Sequence, residues 1–388
     1  MASNAKIIGD LIAADASVAI PGDGVILASD LADGSVTTAK LADANVTIGK
    51  IATTVPLGTK NIIINGDMRI DQRNAGASVT PTDGLYTVDR WLFRVSQASK
   101  LTAQQVTDAP TGFDYSLKVT SSSAYSIGSG DFFECEQRIE GNNVYQLDLG
   151  TSDAKTITIS FWVKSSLTGT FGGSLANVAF NRSYPFEYTI SSANTWEKKT
   201  VTVALDTTGT WATDNTIGLR AQFGLGVGNN WAGTAGSWIA TGTWSATGAT
   251  SVVGTSGATW QITGVQLEVG DTATSFEHRP YDMELARCMR YCQQYQYYGC
   301  GVGGGAGGST PVTTTQFRVP MRSAPTVAWI SGGVAGDGNY TRTITALNFS
   351  SNINPTGATF GYNISASLTT QNVGVIVQYA VMKFDAEL

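Results

Sequence analysis

KTITISFWVK, residues 155–164, decides the fold. Ile157, Ile159, Phe161 and Val163 fall on one parity, with mostly polar residues between them. A period of two over that length predicts a strand with one face on a core. The same rhythm recurs on either side. KTVTVALD (199–206) places Val201, Val203 and Leu205 on one face. WQITGVQLEV (260–269) starts with Trp260 and Ile262 on one parity and ends with Val265, Leu267 and Val269 on the other. The switch falls at Gly264, which predicts a bulge there. NIIINGD (61–67) is an apolar run closed by the turn dipeptide Asn65-Gly66. Short alternating strands separated by Gly, Ser, Asn and Thr predict a β-sandwich over residues 61–281. The long connections favour a jelly roll over a meander.

Composition agrees. The 388 residues allow two or three domains, and 42% are hydrophobic but only 14% charged, where about 25% charged is usual. There are 44 glycines, and Thr and Ser crowd most segments, a profile that suits pleated surfaces and many turns. The formal net charge is −6 and no Lys/Arg run occurs, which disfavours nucleic-acid binding. No apolar stretch is long enough for a membrane-spanning helix. The N-terminal residues lack the pattern of a secretory signal, so assembly in a reducing cytosol is expected. Four cysteines, Cys135, Cys288, Cys292 and Cys300, are too few for a disulfide scaffold at this length.

The flanks read differently. Within the N-terminal segment, 1–60, LADGSVTTAK (31–40) is followed by LADANVTIGK (41–50) and then IAT. Each unit carries too little apolar surface to bury alone, which points to several chains winding into a shaft. A disordered Ala/Asp/Thr-rich linker is the competing reading. Residues 282–298 predict a helix with Asp282 as N-cap and a stripe of Leu285, Met289, Cys292 and Tyr295/Gln296. That stripe suits either a seam between identical helices or packing on the chain's own β-domain. GCGVGGGAGG (299–308) reads as a linker, completing a helix-and-linker region at 282–308. Residues 309–388 form a second β unit, a C-terminal tip. Within it ATFGYNISASL (358–368) alternates, and VGVIVQYAVMKF (373–384) is apolar on both faces and should be a central strand.

Three stretches resemble one family: the repeat LADGSVTTAKLAD; NIIINGDMRIDQRNAG (61–76) with YTVDRW (86–91); and ITGVQLEVGDTATSFEHRPYDMELARCMRYCQQY (262–295). Together they are similar to bacteriophage tail-fibre proteins that carry a carbohydrate-binding-module-like jelly roll. The resemblance implies an all-β, fibrous homotrimer with an N-terminal repeat shaft, a jelly roll, a short helix and a C-terminal β tip. It implies that the N-terminus docks on a phage tail or virion protein, and that the β-domains face a host-surface polysaccharide or lipopolysaccharide. Localisation would be the virion, after assembly in the host cytoplasm. Similar jelly rolls hold a structural calcium, for which Asp67, Asp71 and Asp89 are the candidate ligands; no other cofactor is expected.

For binding, the aromatic signal is strongest. Trp211, Trp231, Trp238 and Trp244 lie in a polar stretch without core-strand alternation. Their rings could stack on sugars, or cap the sandwich or fill a trimer interface. Trp329 and Tyr340, with Tyr297 and Tyr298, are candidates at the tip. Trp91, Trp162, Trp196 and Trp260 lie in patterned segments and read as core or interface. For catalysis the signals are weak. The single histidine, His278, has no nucleophile motif around it and reads as a packing residue at the end of the jelly roll. Glu134 and Glu136 share one face of FFECEQRI, but glycan cleavage needs two carboxylates across a cleft. Cys288 and Cys292 lack the second pair a zinc site needs. The glycines Gly299, Gly301 and Gly304 match a dinucleotide fingerprint but follow a helix instead of preceding one. The expected function is therefore adhesion to host glycan without catalysis. The alternatives are a purely architectural head, neck or tail fibre and a glycan-degrading tailspike hydrolase.

Overall fold

The computed structural model describes residues 59–302, 312–336, 341–364 and 374–388. The ten-residue repeat and the rest of segment 1–58 lie outside the described residues. The first strands are β1 (Leu85–Tyr86), β2 (Leu92–Val95), β3 (Leu101–Val106), β4 (Ser116–Ser121), β5 (Phe132–Glu140), β6 (Thr156–Ser165), β7 (Gly169–Ala176), β8 (Ser183–Ile190), β9 (Glu197–Ala204), β10 (Ile217–Val227), β11 (Ala232–Gly233), β12 (Ser245–Ala246) and β13 (Thr259–Val269). One sheet runs β1-β2-β5-β10-β7-β8 and a second runs β3-β4-β13-β6-β9. The chain crosses between the two sheets at most connections, which makes this a jelly-roll sandwich.

The core forms between the sheets. Ile157, Ile159, Phe161 and Val163 are fully buried, as their parity predicts. They meet Phe93, Phe133 and Phe223 of the other sheet, with Phe161 edge-on to Phe223 at 5.1 Å. The bulge in β13 is where the parity switch puts it. Register with β6 slips between Thr263 and Gln266, and Gly264 takes φ +61°. Trp260, Ile262, Val265 and Leu267 thereby all reach the core, while Val269 is exposed. Residues 61–67 do not pair as a strand; they clip onto β13 through Ile62 N to Leu267 O and Val265 N to Gly66 O, both 2.9 Å. A Cβ at Gly66 would run into the Val265 carbonyl, so the turn requires glycine.

The helix differs from its expected span. It covers Tyr281–Met289, here α1, with Pro280 at the N-cap and Asp282 in the first turn, where its charge suits the helix dipole. The chain turns at Arg290 and Tyr291 and enters β14 (Cys292–Val302) instead of continuing as helix to 298. Local spacing imitated a helical stripe there, but Tyr and Gln are at home in strands, and pairing along β20 (Gly374–Asp385) prevails. The stripe that is helical packs inside its own chain. Cys288 and Tyr291 are buried with Ile64 and Ile70, and Leu285 and Leu388 lean on them.

The remaining strands are β15 (Val312–Gln316), β16 (Thr326–Ser331), β17 (Val334–Gly336), β18 (Thr341–Asn354) and β19 (Gly357–Ile364). They run β14-β15-β19-β18-β17-β20, and β14 also pairs with β20, so the ladder closes into a small barrel. β16 joins the same edge of β20, beyond β17. As its two apolar faces predict, β20 is central, bonded on both sides. The barrel thus begins at Cys292, inside the stretch expected to be helix and linker. Its core holds Phe317, Met321, Ile344, Phe360, Tyr362, Met382 and Phe384.

Residues 385–388 bind the barrel to the sandwich. Arg73 Nη1 and Nη2 reach Asp385 (2.6 Å) and Glu387 (2.8 Å). Arg90, only 1% exposed, pairs with the other Glu387 oxygen and lies 3.5 Å over the Tyr291 ring. Arg138 Nη1 (2.8 Å) and Tyr86 Oη (2.9 Å) donate to Leu388 O. From the barrel side, Arg322 donates to Ala386 O, Glu387 O and Asn215 O. A buried guanidinium without a carboxylate is strongly unfavourable. Glu387→Gln, which keeps shape but removes charge, is expected to lower unfolding free energy by roughly 3 kcal/mol. Urea denaturation would check it, and a loss below about 1 kcal/mol would show that Arg90 does not depend on this partner.

Candidate functional site

Residues 228–253 leave β10, fold over the outward face of the six-stranded sheet and return to β13. Glycine makes this possible. Gly172 and Gly224 point outward, and a Cβ on either would strike Ser245. Hydroxyls fasten the segment. Thr243 Oγ1 meets Ser174 Oγ (3.1 Å) and Ser183 Oγ (2.9 Å), and Ser183 Oγ donates to Thr241 O at 2.6 Å. The Gln222 amide, oriented to match its neighbours, donates to Thr243 O and accepts from Trp244 Nε1, each at 3.2 Å.

The three tryptophans of this segment and Trp211, which precedes β10, form two clusters. Trp231 stacks on Trp244 with centroids 4.6 Å apart and an interplanar angle of 26°; Phe132 and Phe180 close around the pair. Trp211 meets Trp238 edge-on at 5.4 Å, and Tyr184 packs on Trp238 at 5.4 Å. Trp244 (4% exposed) and Trp211 (8%) are buried, so neither ring face is open to a ligand. They act as floors. Trp231 and Trp238 remain half-buried and are the two rings presented to solvent. Each is pinned: Trp231 Nε1 donates to Gly130 O (3.1 Å) and Trp238 Nε1 to Ala204 O (2.8 Å). Arg94 lies 5.6 Å over Trp244 and is itself held by Asp83 at 2.7 Å.

Beneath the segment, Glu134 and Glu136 do share the outward face of β5, but both are 0% exposed. Glu136 is neutralised by Arg138 Nε (2.7 Å) and Arg220 Nη1 (3.2 Å). Neither oxygen of Glu134 has a hydrogen-bond partner. Burial first, and then the Glu136 charge, push its pKa well above the ordinary carboxylate range. The pair does not flank an open cleft, as acid and nucleophile of a glycosidase must.

The remaining candidates are dispersed. Asp67, Asp71 and Asp89 do not form a calcium site. Among the described residues no group of three or more His, Cys, Asp or Glu converges. Their oxygens are already used: Asp71 caps Asn74 N (3.0 Å) and Gly76 N (2.8 Å), Asp89 accepts from Gln72 and faces Arg73, and Asp67 pairs with Arg69 at 3.1 Å. Burial pushes Asp89 up to about 7. His278 is exposed and rests on Phe276 and Phe113 at 4.9 and 5.3 Å. Cys288 is a buried free thiol in α1, and Cys292, also buried and free, sits beyond the helix in β14. Trp329 packs on the barrel with Nε1 donating to Gly332 O at 2.9 Å. Tyr340 lies outside the described residues. A cleft of about 210 Å³ opens between sandwich and barrel, lined by Asn74, Tyr86, Gln294, Ile330, Lys383 and Asp385.

Trp162 and Trp196, which read as core or interface, are not in the core. Both are half-buried on the outward face of the five-stranded sheet. The signal was present: Trp162 stands on the opposite parity from Ile159, Phe161 and Val163.

Glu134 also yields a pH prediction. A carboxyl whose folded pKa is raised binds its proton more tightly when folded. Its contribution to stability is therefore intact below the unfolded pKa and is lost as pH rises through the folded one. Glu134→Gln should thus stabilise the fold at pH 7, with no gain at pH 4. Thermal melts across pH 4–8 check this, and an equal effect at both ends would contradict it.

No family model matches the chain, and no curated protein matches it. Solved structures do. One is the enzymatically active domain of tailspike protein 4 of bacteriophage CBA120, at 12% identity and TM-score 0.30, over 54% of this chain and 21% of that one. A second is a family 11 carbohydrate-binding module from Clostridium thermocellum, in complex with a β-1,3-1,4-mixed-linked tetrasaccharide (12% identity, TM-score 0.27, 51% and 97% covered). A third is the CBM22-1 xylan-binding domain from Paenibacillus barcinonensis (9%, TM-score 0.24, 52% and 99%). This chain spans about a fifth of the length of the tailspike structure it matches.

Proposed function

We propose that this chain is a glycan-binding adhesion protein that works without catalysis, carried as a homotrimer in the tail fibre of a bacteriophage. One observation carries the glycan reading: Trp231 and Trp238 present ring surface to solvent while their indole N–H groups are tied to backbone carbonyls and their rings rest on buried Trp244 and Trp211. Sugars offer C–H faces to such rings. A ring already fixed loses little conformational freedom on binding, so preorganisation adds affinity. The polar neighbours Asn229, Asn230 and Thr241 supply partners for hydroxyls.

The fibre reading rests on the resemblance of the repeat at 31–51 and of the jelly-roll opening and closing segments. Three copies would raise the avidity of weak single sites. The N-terminal segment would join a virion protein, and the sandwich and barrel would meet host-surface polysaccharide or lipopolysaccharide. Burial of Trp211 and Trp244 favours a second reading, in which the clusters only cap the sandwich of an architectural fibre.

Trp231→Ala and Trp238→Ala separate the two. Binding of the full chain to a host-glycan array is expected to drop about tenfold in either variant, with the fold retained by circular dichroism. Unchanged binding in both would assign the clusters to architecture. Sedimentation equilibrium gives the mass: three times 40.7 kDa supports the homotrimer, and 40.7 kDa removes it.

A further inference from the structure

The outward face of the five-stranded sheet carries an aromatic and cationic strip on the side of the sandwich opposite Trp231. Register places its members. Gln261 of β13 lies between Lys118 of β4 and Lys164 of β6. On the next outward row Trp162 of β6 lies between Thr263 and Lys198 of β9. Trp196 enters the first row just before β9, with Lys164 Nζ 5.1 Å over its ring. These rows are about 7 Å apart along a strand and neighbouring strands about 5 Å across, a scale that matches successive sugar units.

The strip is built, not incidental. Asp108 holds it together, accepting from Trp196 Nε1 (3.3 Å), Gln261 Nε2 (3.2 Å) and Lys164 Nζ. Gln261 is fixed in turn by Ser116 Oγ at 3.2 Å. The glycine bulge matters as well. Gly264 has no Cβ where Phe113 and Trp162 close in, so both rings can sit over β13. Phe113, Phe276 and His278 then stand as a wall beside Trp162, with Phe113 and Phe276 edge-on at 5.0 Å. Lys198 is exposed and Lys118 and Lys164 half-buried; of the carboxylates on this face, Asp108 pairs with Lys164, Glu277 pairs with Arg279, and Glu268 is buried under Thr274. A local excess of positive charge stands out on a chain of net charge −6.

We infer that this strip is a second saccharide site, selective for an acidic glycan that carries carboxylate or sulfate groups. The indole faces of Trp162 and Trp196 take the sugar rings, and Lys118, Lys164 and Lys198 take the anionic substituents. Charge at an exposed face makes the interaction sensitive to salt.

Titration calorimetry of the full chain tests this with a sulfated heparin hexasaccharide, a galacturonate hexamer and a neutral dextran hexamer. Either acidic oligomer is expected to bind more tightly than dextran and to weaken between 50 and 300 mM salt. Trp196→Ala should weaken it about threefold to tenfold. Lys198→Gln, on an exposed edge strand and safe for the fold, should weaken it as well, and Trp231→Ala should not. No binding of either acidic oligomer, or binding lost in Trp231→Ala but intact in both Trp196→Ala and Lys198→Gln, overturns the inference. The second result would still leave glycan binding at Trp231 standing.

Discussion

Two buried arginines organise this molecule. Arg73 precedes β1 and Arg90 lies between β1 and β2, at the start of the sandwich, yet their carboxylates, Asp385 and Glu387, come from the far end of the barrel. A guanidinium removed from water needs a partner held in the right place. The partner can be there only when β14 and β20 have paired and carried residues 385–388 back to the sandwich. The ion pairs therefore make two modules with separate cores depend on each other. Helix α1 is short because it serves the same junction. It turns the chain from β13 into β14 and buries Cys288 and Tyr291 against Ile64 and Ile70.

Much of the sandwich was legible because its pattern is local. A period of two in β6 and β9 and the parity switch at Gly264 were sufficient for strands, core faces and bulge. The barrel's first strand was not legible. Cys292–Val302 carries apolar groups at spacings that also fit a helix, and its state is decided by a partner about eighty residues away. A long-range ladder leaves no local trace. The same limit explains the aspartates. Asp67, Asp71 and Asp89 cluster in sequence, but backbone N–H groups and arginines absorb their charge, and nothing in the spacing announces this.

The tryptophans show what sequence can and cannot rank. Lack of alternation in 228–253 sets Trp231, Trp238 and Trp244 apart from the strand pattern, yet it could not say which ring becomes floor and which becomes surface, and Trp211 joins the sandwich core. That depends on Gly172 and Gly224, whose missing side chains let Ser245 and Trp244 settle onto the sheet. The covered face also explains Glu134. A carboxyl that alternation places on an outward face ends up without water or partner because a segment a hundred residues later lies across it. Trp162 and Trp196 met a different fate: residues 271–278 lie over Gln266 and Glu268 of the other sheet, and both rings stay half-buried beside that cover.

Ring closure in the barrel has a consequence for how the protein is made. Strand β14 bonds to β20 along nearly its whole length, and β17 and β16 lean on the same strand. During synthesis from the N-terminal end, the sandwich strands are all present well before residue 374 appears. Until then the barrel is a set of unclosed hairpins with exposed edges, the state most open to mispairing with neighbouring nascent chains. Strand β20 both seals those edges and brings the carboxylates to Arg73 and Arg90, so closure of the barrel and docking onto the sandwich come in one step.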